Sequence, residues 1–313
     1  MKREGVHALS FDVEEHFQVS AFWSDERRNK WESYESRVER NVEKILNLLS
    51  FRGIHATFFV LGWVASRHRG LVKAIVDQGH ELASHGFGHE LITTQRPDQF
   101  RDDVRKSKQL LEDIAGVPVY GYRAPSFTIV PRTRWALSIL VEEGYLYDSS
   151  IFPVRHDRYG MPEADPYCHL IKTESGPLWE VPLSTLKMGP VRIPIAGGGY
   201  FRLFPYPVLR RLLDRAVVHG HPLIMYLHPW ELDPEQPRMV GSWRSVLRHY
   251  LNLGKTEIRL RRLLGDFRFT TIRNAVKAVG EACSENHNSR LSTVTVNVGQ
   301  DASRYIKTGR ENA

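Results

Sequence analysis

The stretch ALSFDVEEHF, residues 8–17, is a short apolar run that breaks into four titratable groups within five positions: Asp12, Glu14, Glu15 and His16. A strand that merely ended in a turn would not need them, so it reads as a buried strand whose carboxyl end carries chemistry. Similar segments recur at 56–61, 81–84, 119–123, 180–186, 222–228 and 267–272, each short and rich in Val, Ile, Phe or Leu. Amphipathic stretches at 37–50, 66–78, 98–115, 132–143 and 205–219 lie between them. In the first, Val38, Val42, Ile45, Leu46 and Leu49 recur at helical spacing. Pro97 opens the third, and Gly116 with Pro118 closes it. This alternation predicts a parallel α/β sheet or barrel. Residues 152–178, with Pro153, Pro162, Pro166 and Pro177, read as loop, and no internal repeat is visible. Beyond about residue 280 the core pattern stops. Residues 281–313 read as a polar, loosely ordered tail in which TVTVNV, 293–298, is the one candidate for an added strand.

In a parallel α/β architecture ligands collect at the carboxyl ends of the strands. Asp12 and Glu14, two apart, would leave the first strand on one face. The third strand runs into His85 and His89, the fourth into Arg123 and the one at 222–228 into His228. Taken singly, each has an ordinary reading: a turn-forming Asp, a loop histidine, a surface Arg. With 14 histidines in the chain, one His-x-x-x-His pair is commonplace. Together they place two carboxylates, three histidines and an arginine at four strand ends.

The rest of the composition narrows the class. At 313 residues and 42% hydrophobic, the chain can bury a full core, as one large domain or two small ones. The formal charge of +7 is spread over helix faces such as Arg259, Arg261 and Arg262, which predicts a solvated surface and no nucleic-acid partner. Two cysteines, Cys168 and Cys283, suit a reducing compartment. The start, MKREGVHALSFDVEE, lacks an apolar leader core, and the apolar run 56–65 is far short of the ~20 residues of a membrane span. A cytoplasmic protein with no membrane span is expected.

The ordered strand-end set resembles the NodB-homology polysaccharide deacetylases, carbohydrate esterase family 4, over roughly residues 7–275. The family's Thr-Phe-Asp-Asp stands here as Ser10-Phe11-Asp12-Val13-Glu14. Its His-(Ser/Thr)-x-x-His is His85-Gly86-Phe87-Gly88-His89, and its Arg-x-Pro is Arg123-Ala124-Pro125. Asp148-Ser149-Ser150 and Leu227-His228 complete the five motifs. FDVEEHFQVSAF, RAPSFTI, YDSSIFP, GGGYFRLFP and LHPWELDPEQPR are similar to deacetylases of exopolysaccharide loci in exosortase-bearing (PEP-CTERM) bacteria. Those relatives carry a DUF3473-type C-terminal region, in this chain from about residue 228. Two departures stand out: a glutamate, shifted by Val13, replaces a metal-binding aspartate, and Gly86 replaces the Ser or Thr that braces the metal site.

The resemblance implies a distorted (β/α)7-type barrel over residues 1–280 and hydrolytic removal of acetyl from an N-acetylated glycan or its precursor in exopolysaccharide biosynthesis. It assigns a divalent metal, Zn2+ by default with Co2+, Ni2+ or Fe2+ as alternatives, to Glu14, His85 and His89. Such a site leaves positions open for water and the amide carbonyl. Asp12 becomes the base, Arg123 aims it, and His228 protonates the departing amine with Asp148 tuning it. The Ser126 N–H joins the oxyanion site and Leu227 lines the acetate-methyl pocket. Glu15 and His16 are expected at the rim. The glycine run at 197–199 lacks the spacing of a phosphate cradle, and Tyr200 and Phe201 beside it suit sugar stacking on a flexible support. Two other readings stand alongside: an amidohydrolase for a small cyclic amide or ureide, and a catalytically silent carbohydrate-binding module. Functional groups at all five motifs count against the silent module.

Overall fold

β1 (His7–Val13) is buried at every position. A strand apolar on both faces must be covered on both, and a parallel sheet with crossover helices does this. The computed structural model describes residues 7–156, 159–217 and 221–288. Beside β1 lie β2 (Thr57–Val60), β3 (Glu81–Ser84), β4 (Gly121–Tyr122) and β5 (Tyr147–Asp148), all parallel and in sequential order. Helices Val38–Ser50, Arg69–Asp77, Pro97–Ala115 and Trp135–Glu142 make the crossovers. The long helix stops where Gly116 turns left-handed at φ 68°.

The second half departs from simple alternation. β6 (His169–Thr173) and β7 (Gly176–Glu180) form a hairpin inside the stretch expected as loop, and β7 pairs parallel with β5. β8 (Thr185–Met188) and β9 (Val191–Pro194) form a separate hairpin. β10 (Ile224–Leu227) returns beside β1, and β11 (Phe269–Thr270) pairs with the first residues of β1. Helices Trp243–Tyr250 and Thr256–Asp266 add a layer that the periodicity did not announce, and helix Ile272–Asn288 buries Ile272, Ala275 and Val276. TVTVNV and the rest of the chain beyond residue 288 lie outside the described residues.

The expected (β/α)7-type barrel is not closed among the described residues. Among the described residues the sheet is open, in the order β10-β1-β2-β3-β4-β5-β7-β6. Its ends do approach one another at a single point. The Ser184 N–H donates to the Ile224 carbonyl (3.2 Å) and the Ile224 N–H donates to the Ser184 hydroxyl (2.8 Å). No ladder follows, because Pro182 has no N–H and a side chain takes the return bond. The strand expected at 180–186 is accordingly split at residues 181–184 between β7 and β8.

Candidate active site

The parallel register brings the site together. Val13 pairs with Val60, Val60 with Ser84, Ser84 with Tyr122, and Tyr122 with Asp148, one row along the carboxyl edge. The residues one step beyond that row are Glu14, His85, Arg123 and Ser149. On the other side Leu227 pairs with Phe11, so His228 comes alongside Asp12. Glu14 arrives by a turn rather than by strand alternation: β1 ends at Val13, and the Glu14 N–H bonds back to the Asp12 carbonyl at 3.1 Å.

Glu14, His85 and His89 are buried, and one ligating atom from each lies within 4.8 Å of the others. Glu14 Oε2 sits 2.6 Å from His89 Nε2, yet it is a buried oxygen without a hydrogen-bond partner. An ionised oxygen in that state is costly unless a cation takes it, and two imidazoles with one carboxylate are a donor set for a divalent transition metal. The residues therefore fit the metal that the motifs imply. Burial alone would raise the Glu14 pKa, but His89, with His228 and His85, holds it well below the usual carboxylate range. Burial drives His85 down to about 4, which keeps the ring neutral. The His85 Nδ1 lies 2.8 Å from the Arg123 carbonyl, which leaves its other nitrogen for the site. His89 adopts φ 53°, an uncommon conformation for a residue with a side chain.

Gly86 also stands at positive φ, 73°, and a Cβ there would meet the Asp103 carboxylate at 2.7 Å. That carboxylate accepts the N–H groups of Phe87 (2.8 Å) and Gly88 (3.1 Å). The histidine loop is thus braced by an acid from helix Pro97–Ala115, and the glycine that departs from the motif makes room for it. A lone Asp inside a helix carries no sequence signal for this.

Arg123 is fully buried. Its Nη1 donates to Asp12 Oδ1 at 2.6 Å and to the Ser10 hydroxyl at 2.8 Å. Its Nε and Nη2 hold the Ser149 carbonyl (3.1 Å) and hydroxyl (2.9 Å). Asp12 is thereby fixed by a charge-assisted bond in a dry site.

His228 is 18% exposed, whereas Asp12, Glu14, His85 and His89 are sealed beneath it. Its Nε2 lies 3.6 Å from Glu14 Oε1 and its Nδ1 3.3 Å from Glu231 Oε2. Glu231 also accepts the His228 N–H (2.9 Å) and the Arg202 Nε–H (2.8 Å). Burial would lower the His228 pKa, but Glu231 first and Glu14 next raise it to about 9. Burial works the other way on Glu231, and Arg202 with His228 overcomes it and holds the carboxyl at about 2. Trp230 stacks on His228 at 4.9 Å and donates its N–H to Glu14 Oε1 at 3.1 Å. Glu231, Trp230 and Arg202 were missed in the sequence. The signal for two of them was adjacency, since LHPWE carries His228, Trp230 and Glu231 on one turn.

The carboxylate against His228 is therefore Glu231 and not the expected Asp148. Asp148 accepts from the N–H and hydroxyl of Ser150 and lies against Glu180, a buried acid pair. Ser126 is left-handed at φ 53°, its hydroxyl 2.5 Å from that of Ser20. Leu227 is fully buried on β10, and Tyr200 is half-buried on helix Gly198–Leu203. The glycines before Tyr200 are not a flexible support. A Cβ on Gly197 would strike Tyr226, and one on Gly198 would fall on the Glu231 carboxylate. Glu15 and His16 are buried, not on a rim. Glu15 accepts from the Ser36 hydroxyl (2.5 Å) and from the N–H groups of Arg37 and Val38 (3.1 and 3.3 Å), so it caps helix Val38–Ser50.

Comparison with known proteins follows the same division. Over 95% of this chain and of its counterpart, the fold superposes on a solved structure from Mycobacterium smegmatis classed among polysaccharide deacetylases, with a TM-score of 0.62 at 19% identity. The chain thus shares its overall fold with that structure. Residues 26–140 match the family described as Polysaccharide deacetylase, and residues 149–277 match DUF3473, a domain of unknown function. A peptidoglycan deacetylase-like protein of Gibberella zeae is 37% identical over 112 residues, 35% of this chain and 32% of that one. The peptidoglycan deacetylase of Helicobacter pylori is 31% identical over 113 residues, 36% of this chain and 38% of that one. The chain spans about a third of the length of these curated relatives.

Proposed function

We propose that the chain is a hydrolase that removes the acetyl group from an N-acetylated polysaccharide or its precursor, in the assembly of an exopolysaccharide. The observation that carries this reading is the convergence of Glu14, His85 and His89 beside an arginine-held Asp12 and a carboxylate-backed His228. The names of the relatives support the reaction class.

An amide is unreactive because its carbonyl is a poor electrophile and its amine a poor leaving group. Glu14, His85 and His89 would hold a divalent ion, Zn2+ first among the candidates, and that ion would supply Lewis-acid polarisation of the carbonyl. Asp12, aimed by Arg123, takes the proton of the attacking water as base. His228 is the one exposed member of the group, and Glu231 keeps it cationic to about pH 9, so it can donate to the departing nitrogen. Glu231 fixes which ring nitrogen faces Glu14, and Arg202 fixes Glu231. The Ser126 backbone N–H, Leu227 and Tyr200 are assigned to the oxyanion, the acetyl methyl and the sugar.

The test is acetate release from a panel of N-acetylated glycans and lipid-linked precursors, with metal content measured on the same preparation. Release from at least one glycan with about one divalent ion per chain is expected. Release from small cyclic amides alone, or full activity without metal, overturns the reading.

A further inference from the structure

Helix Trp243–Tyr250 turns part of its apolar side outward. The residues it buries are Ser245 and His249, while Trp243 is 71% exposed and Leu247 56% exposed. Val240, just before the helix and three positions from Trp243, is 78% exposed. Val246 and Tyr250 pack inward against Phe17, Phe22, Trp31 and Met239, while Trp243 and Leu247 stay outside that cluster and, among the described residues, remain largely uncovered. Two more exposed apolar residues border the helix. Trp23 follows Phe22, whose ring lies against Gly241. Leu203 follows Arg202, whose guanidinium holds the carbonyls of Arg248, His249 and Leu251.

The stripe itself carries only basic charge. Arg238, Arg244 and Arg248 flank the stripe, and residues 236–250 contain no acid. The Arg238 guanidinium lies 4.8 Å over the Tyr250 ring and that of Arg244 lies 5.3 Å over Trp243. Among the described residues no carboxylate pairs with any of the three. From this we propose that the face docks the protein on an anionic phospholipid bilayer, with Val240, Trp243 and Leu247 entering the interface and the arginines meeting the head groups. Aliphatic side chains around an indole, ringed by arginines, match an interfacial helix. The same helix carries His249, which stacks at 4.2 Å on Trp230, the donor to Glu14. Docking would therefore set the candidate active site one helix from the membrane surface. The inference does not depend on the proposed reaction.

The experiment is co-sedimentation of the full chain with vesicles of phosphatidylcholine alone or enriched in phosphatidylglycerol, across a salt series. Binding to the anionic vesicles only, weakening as salt rises, is expected. The double variants Trp243→Ser/Leu247→Ser and Arg238→Glu/Arg244→Glu should each lower the partition coefficient roughly tenfold or more while circular dichroism stays that of the parent chain. Any of four results overturns the proposal: no vesicle binding, equal binding to neutral vesicles, partition unchanged by either double variant, or a dimer in sedimentation velocity that Trp243→Ser dissolves. So does a rise in KM for a soluble glycan in Trp243→Ser without vesicles, which would make the face a sugar platform.

Discussion

In residues 7–148 the side chains that enter the site lie at or just beyond the ends of parallel strands, Glu14 and His89 on the turns that follow, and the register of one strand on the next sets where those ends stand. Residues 149–277 work differently. They bring His228, Trp230 and Glu231 in on one turn after β10, and Arg202 from a short helix that two glycines allow to pass over Glu231 and Tyr226. The first region builds by repetition and the second by close approach. A strand-end residue is positioned by ladder bonds that its own identity does not affect. A turn residue is positioned by its neighbours' side chains, so substitution spreads.

The largest expected effects fall in the first region and should separate cleanly. Asp12→Asn keeps an acceptor for Arg123 but removes the proposed base, so kcat should fall roughly 10²–10⁴-fold while bound metal is retained. Glu14→Ala should lose metal and activity together, read by elemental analysis beside acetate release. Equal metal loss in both variants would make Asp12 a ligand and erase the division of labour between the two strand-end acids.

Next in size is the carboxylate of the second region. A histidine whose pKa is raised to about 9 is protonated below that pH, so it can serve as an acid across the neutral range. Glu231→Gln removes the largest favourable contribution. The basic limb of the kcat–pH profile should then move to lower pH, and kcat at neutral pH should fall roughly tenfold to a hundredfold. Asp148→Asn, which leaves Glu231 in place, should not move that limb. If Asp148→Asn moves it and Glu231→Gln does not, the assignment is reversed.

A smaller effect should come from Trp230→Phe, which keeps the stack on His228 but removes the N–H that holds Glu14 Oε1. Metal affinity, measured by competition with a chelator, should weaken roughly tenfold. An unchanged affinity would leave Trp230 as packing alone.

How much of this could be read from the chain follows the same line. Asp12, Glu14, His85, His89, Arg123 and His228 were legible because strand ends in an alternating pattern converge whatever the details. The open sheet was not, since closure turned on one proline, Pro182, and one hydroxyl, that of Ser184. Nor was the helix at Trp243–Tyr250, where the pattern did not tell that Val246 and Tyr250 pack inward while Trp243 and Leu247 are exposed. Glu15 looked like a site residue because it neighbours Glu14, yet the hydrogen bonds its carboxylate accepts come from residues 36–38. Spacing locates groups that share a ladder, and is silent on groups that meet through side chains.

The seam between the regions offers the last and smallest test. His7 opens β1 and is buried where the two halves join. Its Nδ1 accepts the Leu223 N–H at 3.2 Å, and its ring packs against Phe267 and Phe269. Burial lowers its pKa from 6.5 to about 4. In the unfolded chain it takes a proton as pH drops through 6.5, and in the fold it does not until about 4. The neutral ring's contribution is therefore complete above pH 6.5 and is lost progressively between 6.5 and 4. Protonation would also turn the acceptor of the Leu223 bond into a donor. His7→Asn retains an acceptor but cannot titrate, so its stability by denaturant titration should fall less steeply over that window. The two chains should differ by on the order of 2 kcal/mol in the stability lost between pH 7 and pH 4. His80, buried against the Ala56 N–H with its pKa likewise lowered to about 4, remains in both chains and supplies the residual slope. Parallel curves for parent and variant would show that the seam does not feel the charge, and that the two regions are held together by their ladders alone.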